Sequence, residues 1–421
     1  AVGSLTGGTL GSGDRYRKQS VGPPQDEGFG VLDLSGSSSE VGLATEIVTG
    51  SEAVALGALR AGVKVVTGYP GTPSTGALTR LLKMDLPGRH VEWSANEKVA
   101  FEIAAGVAWA GHRALCTMKM SGVNVAYDSL ISIAYSGVNG GLVIYVADDP
   151  GVSAGMCEQD TRGFALMSDL PILEPATVAE AYDLVQMAFD LSEQTRTPVF
   201  VRLVTAVANS HAAVEIEVPL PPADREPILE RDIARYTKAG SVICLNQHRD
   251  LIARLDKAAS ILDDLGLNRL RLASKRGGLG IVAAGVANAY LDEGLETASE
   301  YGLDLEDISR LAVRASHPFP VGPVRRLLGH CDTILVLEEL EPYLERGVIV
   351  EAHRTGFEGR IVGKLDGPLS RLGEYGLGQV VEGLAYALDL ILPPTLFQGS
   401  TEAESLAAAR PITVCAGCPH R

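Results

Sequence analysis

Long apolar runs are missing from this chain. The longest, residues 140–147 and 277–289, fall short of the roughly 20 residues that a helix needs to cross a bilayer. Residues 1–43 also lack the apolar core of a signal peptide and are instead rich in Gly, Ser and Asp, which indicates a flexible N-terminal arm. We therefore expect no membrane-spanning segment.

Positive charge and clustered cysteines are also scarce. The chain has 36 Lys and Arg against 52 Asp and Glu, a formal net charge of -16, which repels phosphate backbones and anionic lipid. Nucleic acid and membrane surfaces are therefore poor partners. Of six cysteines only Cys415 and Cys418 lie close in sequence, so we expect a protein of the reducing cytoplasm rather than a disulfide framework.

Aromatic residues make up only 5% of the chain, whereas 46% is hydrophobic and 47 residues are glycine. This composition is typical of α/β proteins, whose tight strand-to-helix turns use glycine. A chain of 421 residues is too long for one core and predicts two or three domains.

Residues 44–215 alternate short apolar runs with helical patterns. The predicted strands are 63–67, 90–93, 114–118, 141–147 and 198–203, and the predicted helices are 46–61, 74–82, 97–110, 124–135 and 178–192. Strands separated by helices pair in parallel and form a doubly wound sheet that is covered on both faces. Ligands bind such sheets at the carboxyl ends of the strands.

Residues 216–277 form a predicted connector, which is proline-rich at first and then charged and helical. A second α/β domain is predicted over residues 278–392, with strands at 279–284, 311–313 and 333–337. Residues 393–421 are a polar linker that ends in CAGCPHR.

The segment GYPGTPST, residues 68–75, lies where a strand ends and a helix begins. Its structural interpretation is a helix start, with Thr72 as N-cap and Pro73 at the first helical position. Its functional interpretation uses the same geometry, because free amide donors and a threonine hydroxyl could hold a substrate carboxylate.

The segment VEWSANEKVAFEIAAGVAWAG, residues 91–111, repeats the strand-then-helix pattern. Ser94 and Glu97 have the spacing of a capping box, which gives Glu97 a structural role. The competing role is catalytic: a carboxylate in a dry crevice can hydrogen-bond a ring nitrogen of a bound heterocycle and promote its proton exchange.

Two further polar stretches follow predicted strands. In TMKMSGVNVAYDSL, residues 117–130, Gly122 fits a tight turn, and Asp148 and Asp149 end the strand at 141–147. CEQDTRG, residues 157–163, suggests a crevice lip or a subunit contact. Asp149 and its acidic neighbours in that stretch lack regular metal-ligand spacing, so a solvated loop is the favoured interpretation.

The final CAGCPHR places Cys415, Cys418 and His420 on one short turn. A Cys-x-x-Cys pair can be a redox pair, half of a zinc site or two ligands of an iron–sulphur cluster. A second pair is missing from the sequence, and these alternatives stay open.

Taken together, YPGTPST, SANEKVAFE, MKMSGVNVA, GGLVIYVADDPG with EQDTR, VLEELEPYLE and CAGCPHR resemble the thiamine-diphosphate-dependent 2-oxoacid:ferredoxin oxidoreductases. The resemblance is closest to the large (alpha) subunit of the indolepyruvate ferredoxin oxidoreductase type and covers residues 44–421. It implies a pyrimidine-type thiamine-diphosphate-binding domain at 44–215, a transketolase-C-like domain at 278–392, and truncation at the start of a diphosphate-binding domain.

The resemblance also implies roles for particular residues. Glu97 corresponds to the glutamate that activates the cofactor, and Thr72 to the turn threonine that meets the 2-oxoacid. The remaining residues implied to shape the pocket or bind the cofactor are Tyr69, Pro70, Gly71, Lys119, Gly122, Asn124, Cys415, Cys418 and His420. No metal ligand is assigned, and Met120 stands where the family often has histidine.

The reaction implied by the resemblance is oxidative decarboxylation of an aryl 2-oxoacid to the acyl-coenzyme A, with ferredoxin reduction. Mg²⁺ and iron–sulphur clusters are expected beyond residue 421 or in a partner, together with a small second (beta) subunit and pairing of identical large subunits. Two alternatives stay open. One is a non-oxidative thiamine-dependent decarboxylase, and the other is a non-catalytic scaffold subunit that completes a partner's cofactor site.

Overall fold

The computed structural model describes residues 43–155, 157–300, 308–391 and 406, all of which belong to one compact unit. The predicted arm at residues 1–43 and the predicted linker at 393–421 lie outside this part of the chain, apart from Leu43 and Leu406. Within the described ranges, every helix is too short or too polar to traverse a bilayer.

The first half of the described chain alternates strands with helices. In chain order the elements are β1 (Leu43–Thr49), α1 (Gly50–Arg60), β2 (Val65–Gly68), α2 (Thr75–Leu82), β3 (His90–Trp93), α3 (Glu97–Trp109), β4 (Ala114–Lys119), α4 (Met120–Ser136), β5 (Leu142–Asp148), α5 (Thr161–Ser168), β6 (Ile172–Leu173), α6 (Val178–Thr195), β7 (Val199–Val204), α7 (Thr205–Asn209) and β8 (His211–Glu217). Strands β2 to β7 form one sheet in the order β3-β2-β4-β5-β7-β6, with every neighbouring pair parallel.

Burial on both faces explains why the central strands of this sheet are mostly apolar. All seven residues of β5 are buried, as are all four of β2. Helices α1, α2 and α6 cover one face of the sheet, and α3 and α4 cover the other. A doubly wound parallel sheet follows, as the alternation predicts.

The predicted helix at residues 46–61 is wrong in its first part. Residues up to Thr49 form β1, which pairs antiparallel with β8 along its whole length. The helix begins at Gly50, where Thr49 and Glu52 form a reciprocal capping box. The pairing partner of β1 lies more than 160 residues away, and such long-range pairing leaves no local sequence signal.

The second half builds another sheet. Its elements are α8 (Ile233–Tyr236), α9 (Ser241–Asp264), β9 (Arg269–Arg271), β10 (Leu279–Ala284), α10 (Ala287–Glu300), β11 (Ser309–Val313), β12 (Ala315–His317), α11 (Val321–Leu328), β13 (Thr333–Leu337), α12 (Tyr343–Thr355), β14 (Arg360–Val362) and α13 (Leu377–Ala387). The sheet order is β14-β13-β10-β11-β9, with only β9 antiparallel. Helices α10 and α13 cover one face, and α11 and α12 cover the other.

Strand β12 connects the two sheets. It follows β11 of the second sheet but pairs antiparallel with β6 at the edge of the first. The Asn268 side chain holds its start, because Oδ1 accepts from the amides of Arg314 and Ala315 at 2.9 and 3.0 Å. A three-residue strand has no periodicity, and the sequence did not predict it. The domain borders proposed near residues 215 and 277 stay predictions.

Candidate active site

The turn after β2 carries the first predicted site segment. The Gly71 N–H donates to Thr75 Oγ1 at 3.0 Å, and the Gly71 carbonyl accepts from Ser74 Oγ at 2.7 Å. Ser74 occupies the N-cap position of α2, which begins at Thr75. The predicted capping role of Thr72, with Pro73 as first helical residue, is therefore wrong. Thr72 precedes the helix and is exposed at the carboxyl edge of the sheet.

This turn is packed against the end of β4. The Tyr69 N–H donates to the Thr117 carbonyl at 3.2 Å. A Cβ at Gly68 would lie 2.2 Å from Thr117 Oγ1, so only glycine permits this approach. Tyr69 is half-buried and Pro70 is exposed, which places both along the rim of the crevice.

Glu97 is the first residue of α3, at the carboxyl end of β3. The helix is capped by Asn96, whose Oδ1 accepts from the Val99 N–H at 2.9 Å. The predicted capping box with Ser94 is wrong, since the Ser94 hydroxyl donates to Glu92 at 3.0 Å instead. Glu97 is half-buried, and among the described residues none hydrogen-bonds its carboxylate.

Glu97 lies directly against Gly122 in the first turn of α4. A Cβ added to Gly122 would be 2.6 Å from Glu97 Cγ and 2.8 Å from Oε1, so the glycine makes the space that this side chain occupies. Burial, with the Glu97 carboxylate adding to it, raises the pKa of the Cys116 thiol in β4 to about 12. The Glu97 carboxylate therefore lies close to the buried Cys116 side chain of β4.

Lys119 is the last residue of β4 and occupies the N-cap position of α4 without forming a side-chain cap. Its stem covers Gly71, where an added Cβ would be 2.9 Å from Lys119 Cγ and Cδ. Its Nζ donates to the Ala154 carbonyl at 3.0 Å. Lys119 thus connects the turn after β2 with the loop after β5.

Asn124, one turn into α4, binds the far end of the same loop. Its amide donates to Gln159 Oε1 at 2.9 Å, and the Gln159 amide donates back at 3.3 Å. Both contacts are exposed. The loop at 149–159 is thus attached at two points to the start of α4. Residue 156 of this loop lies outside the described chain.

The loop also folds around a buried carboxylate. Asp149 is fully buried and accepts from the amides of Ser153 and Ala154 at 3.1 and 2.7 Å. Asp160 is buried as well, so the predicted solvated loop is wrong for these two acids. Within the described ranges, no group of three or more His, Cys, Asp or Glu side chains is placed to hold a metal ion.

Beyond the loop, seven buried charged residues form a group that we call the inter-sheet ion cluster. Its members are Asp148, Asp160, Arg162, Glu174, Arg202, Glu338 and Glu339. The last two follow β13 of the second sheet, and the others belong to the first sheet and its loops.

Two arginines organise the cluster. Arg162 pairs with Asp160 and Glu338, each at 2.6 Å, and so joins the sheets. Arg202 pairs with Asp148 and Glu174, also at 2.6 Å. Burial alone would raise the pKa of Asp160, but the two guanidinium groups hold it below its ordinary value.

Glu339 is the acidic member of the cluster whose carboxylate accepts no hydrogen bond from a described cationic side chain. Its Oε1 accepts from the Tyr375 N–H at 2.7 Å, and Oε2 is buried without a partner among the described residues. Burial raises the pKa of Glu339 to about 7. Within CEQDTRG, Arg162 makes an internal contact between the two sheets, and Glu158, Gln159 and Asp160 line a cavity, which agrees with the predicted crevice lip. The predicted subunit contact stays a prediction.

The structure brings most of the predicted site residues to one edge of the first sheet. Glu97 meets Gly122, and Lys119 meets Gly71, so the segments after β2, β3 and β4 converge. Three of the predicted site residues lie outside the described chain, namely Cys415, Cys418 and His420. Gln159 and the Ala154 carbonyl were not predicted as site groups, although the unusual polarity of EQDTR before an apolar run was a signal for the former.

Comparison with known proteins agrees with this architecture. The family model for the pyruvate flavodoxin/ferredoxin oxidoreductase thiamine-diphosphate-binding domain matches residues 56–252. The indolepyruvate oxidoreductase subunit IorA of Archaeoglobus fulgidus is 36% identical over 387 residues, which cover 88% of this chain and 59% of that subunit. The chain therefore spans less than two thirds of the length of this relative.

Two solved structures share the fold. The 2-oxoglutarate:ferredoxin oxidoreductase from Magnetococcus marinus aligns with a TM-score of 0.64 at 17% identity, over 81% of this chain and 64% of that one. A split-gene transketolase, described as an inactive beta4 tetramer, aligns with a TM-score of 0.50 at 16% identity, over 81% of this chain and 97% of that one.

These likenesses confirm the expected fold class, in which a thiamine-diphosphate-binding α/β domain precedes a second parallel sheet. The predicted resemblance to the indolepyruvate large subunit is also confirmed. Residues 56–252 thus match the thiamine-diphosphate-binding domain of the pyruvate flavodoxin/ferredoxin oxidoreductases, and 88% of the chain is similar to the indolepyruvate oxidoreductase subunit IorA.

Proposed function

We propose that the enzyme containing this chain oxidatively decarboxylates an aryl 2-oxoacid of the indolepyruvate type, with thiamine diphosphate as cofactor. The substrate class is supported by relatives named indolepyruvate oxidoreductase, at 32–36% identity. The cofactor is supported by the matched thiamine-diphosphate-binding domain. Thiamine diphosphate, when bound, supplies the nucleophilic carbon and the electron sink for loss of carbon dioxide.

The single observation that carries this proposal is the placement of Glu97. Its carboxylate lies at the carboxyl edge of a parallel sheet, where ligands of such folds bind. It lies in space left by Gly122, and no described side chain satisfies it. A half-buried acid in this state fits the hydrogen-bonding group that the aminopyrimidine ring of the cofactor requires.

The chain's own residues then have separate tasks. Glu97 would hold a proton shared with a pyrimidine ring nitrogen and pass it on as the cofactor is activated. Thr72, exposed on the neighbouring turn, would contact the 2-oxoacid, with Tyr69, Pro70 and Gly71 shaping the wall around it. The loop at 149–159, attached through Lys119 and Asn124, would restrict the access of water.

Further components belong to the same proposal. We assign Mg²⁺ and iron–sulphur clusters to residues outside the described chain or to a partner, and we keep Cys415, Cys418 and His420 as proposed cofactor-binding residues. Ferredoxin is the proposed electron acceptor, coenzyme A the acyl acceptor, and a small second subunit the partner. We also expect pairing of two large subunits and a cytoplasmic location.

The decisive variant is Glu97→Gln in the holoenzyme with its partner subunit. We expect turnover of indolepyruvate to fall by roughly 100-fold or more, because an acid–base group contributes at least that much. The melting temperature should be unchanged. The matched control is Glu102→Gln, the same substitution on the exposed side of α3, where Ser129 donates to the carboxylate.

Glu102→Gln should keep wild-type turnover. Near-wild-type turnover of Glu97→Gln would overturn the assignment of Glu97. Release of carbon dioxide without reduction of ferredoxin by the wild-type holoenzyme would instead overturn the oxidative part of the proposal and favour a simple decarboxylase.

A further inference from the structure

Lys119 has an unusual electrostatic position. It stands at the N-cap of α4, a helix of 17 residues, where the helix dipole is positive and an acidic or neutral capping residue is the rule. The lysine also forms no cap hydrogen bond with its side chain. A cation at the positive end of a helix is locally unfavourable, and local rules of this kind are broken mainly at functional sites.

The ammonium group also lacks an acidic partner. Its hydrogen bond is to a neutral acceptor, the Ala154 carbonyl at 3.0 Å, and no described carboxylate pairs with it. Arg314, which is half-buried like Lys119, shows the usual arrangement, since its guanidinium pairs with Glu180. The charge on Lys119 is therefore available to an anion that the described residues do not supply.

The position of this cation in the sheet points to the substrate. Along the carboxyl edge, β4 lies between β2, which leads to Thr72, and β5, which leads to the loop at 149–159. Lys119 directly precedes α4, whose first turn contains the Gly122–Glu97 contact, and its stem packs on Gly71, the residue next to Thr72. Glu97, the acid proposed to engage the cofactor, and the Lys119 cation therefore lie along the same carboxyl edge of the sheet.

We propose that Lys119 is the specificity-determining residue that pairs with the carboxylate of the 2-oxoacid substrate. This inference rests on the proposed function and deepens it. A 2-oxoacid carries its carboxylate next to the reacting ketone, so a cation close to Glu97 and Thr72 holds the charged end while the ketone faces the cofactor. The side chain then orients the substrate and excludes aldehydes and neutral ketones, which lack the charge.

The test compares a charged and an uncharged ligand. In the holoenzyme with its partner subunit, Lys119→Met removes the charge but keeps an apolar stem over Gly71, and Lys119→Arg keeps the charge. For each variant we would measure kcat and KM for indolepyruvate, the inhibition constant of its uncharged methyl ester, and the Kd of thiamine diphosphate. Lys257→Met is the matched control, because Lys257 also donates to a backbone carbonyl, that of Gln194, but on the exposed side of α9.

We expect Lys119→Met to raise the KM for indolepyruvate by at least ~10-fold, the loss typical of a charged hydrogen bond. The inhibition constant of the ester and the Kd of thiamine diphosphate should not change. Lys119→Arg should recover most of the affinity, and Lys257→Met should match the wild type.

Three results would overturn the proposal. An unchanged KM in an active Lys119→Met enzyme would remove the substrate contact. Equal weakening of acid and ester would indicate a structural role, and a weaker Kd for thiamine diphosphate would indicate that Lys119 binds the cofactor. A wild-type holoenzyme that oxidises no 2-oxoacid would instead refute the proposed function, and this inference with it.

Discussion

The crevice edge of the first sheet and the inter-sheet ion cluster are both built from charged residues at or beyond the carboxyl ends of strands. In the cluster, Arg162 and Arg202 each pair with two carboxylates at 2.6 Å and are almost fully buried. At the crevice edge, Glu97 and Lys119 are half-buried, and no described residue pairs with either charge.

The difference separates structural charges from functional ones. A buried charge must be paired, because its removal from water costs several kcal/mol that only a close partner offsets. The cluster meets this condition within the chain and joins the two sheets. Under the proposed function the crevice residues meet it when substrate and cofactor bind, since a partly buried charge without a protein partner is typical of a binding site.

The largest expected effect breaks the cluster. Arg162→Met would leave Asp160 and Glu338 buried without their shared cation, and the free energy of unfolding should fall by about 3–5 kcal/mol. Urea unfolding at pH 7 measures this loss. The control is Arg354→Met, which removes a partner of Glu351 from a surface site and should cost no more than about 1 kcal/mol.

A loss for Arg162→Met as small as that of the control would show that the cluster does not hold the sheets together. The conclusion that the paired charges of the cluster have a structural role would then be wrong.

An intermediate effect tests the crevice without touching a charge. Gly122→Ala places a methyl group 2.6 Å from Glu97 Cγ, too close for both to stay in place, so turnover should fall by roughly 10- to 100-fold through displacement of the carboxylate. The melting temperature should not fall, because alanine is the better helix former by about 1 kcal/mol. Steady-state kinetics and thermal unfolding of the holoenzyme together measure both expectations.

Gly106→Ala on α3 is the matched control, because a Cβ there meets no atom within 4 Å. It should leave turnover unchanged. If both glycine variants kept full activity, the contact between Glu97 and Gly122 would have no catalytic importance.

The smallest effect concerns Glu339 and pH. Its pKa in the folded state is about 7, above the ordinary 4.5. Between pH 4.5 and pH 7 the folded state therefore binds a proton on Glu339 that the unfolded state has released. Its stabilising contribution is complete below about pH 4.5 and is lost as the pH rises through 7. Glu339→Gln cannot ionise and should be more stable than the wild type by about 1–2 kcal/mol at pH 8, with the difference shrinking toward pH 5.

Urea unfolding of both proteins at pH 5 and pH 8 measures this change. A difference that does not depend on pH would mean that Glu339 is already ionised in the folded protein at pH 5.

The sequence predicted strands of both sheets well where the signal was local. Strand patterns located β3 of the first sheet and β10 of the second with the bounds that the structure has, and the turn and helix segments led to Thr72 and Glu97. Local patterns failed at both predicted caps: Ser74 rather than Thr72 occupies the N-cap position of α2, and Asn96 rather than Ser94 caps α3. Several polar residues stood near each helix start, and only the backbone path decides which one occupies the cap.

The sequence alone determined the parallel, doubly wound architecture and the sheet edge at which we propose that the ligand binds, because hydrophobic periodicity and strand-to-helix order act over a few residues. Only the tertiary structure decided which side chains meet there. The Lys119 contact with Ala154 spans 35 residues and the Arg162 pair with Glu338 spans 176, so both depend on which strands become neighbours. Which strands are neighbours decides which charges form ion pairs. Arg162 meets carboxylates and is a structural cation, whereas Lys119 meets no described carboxylate and stays available to a ligand.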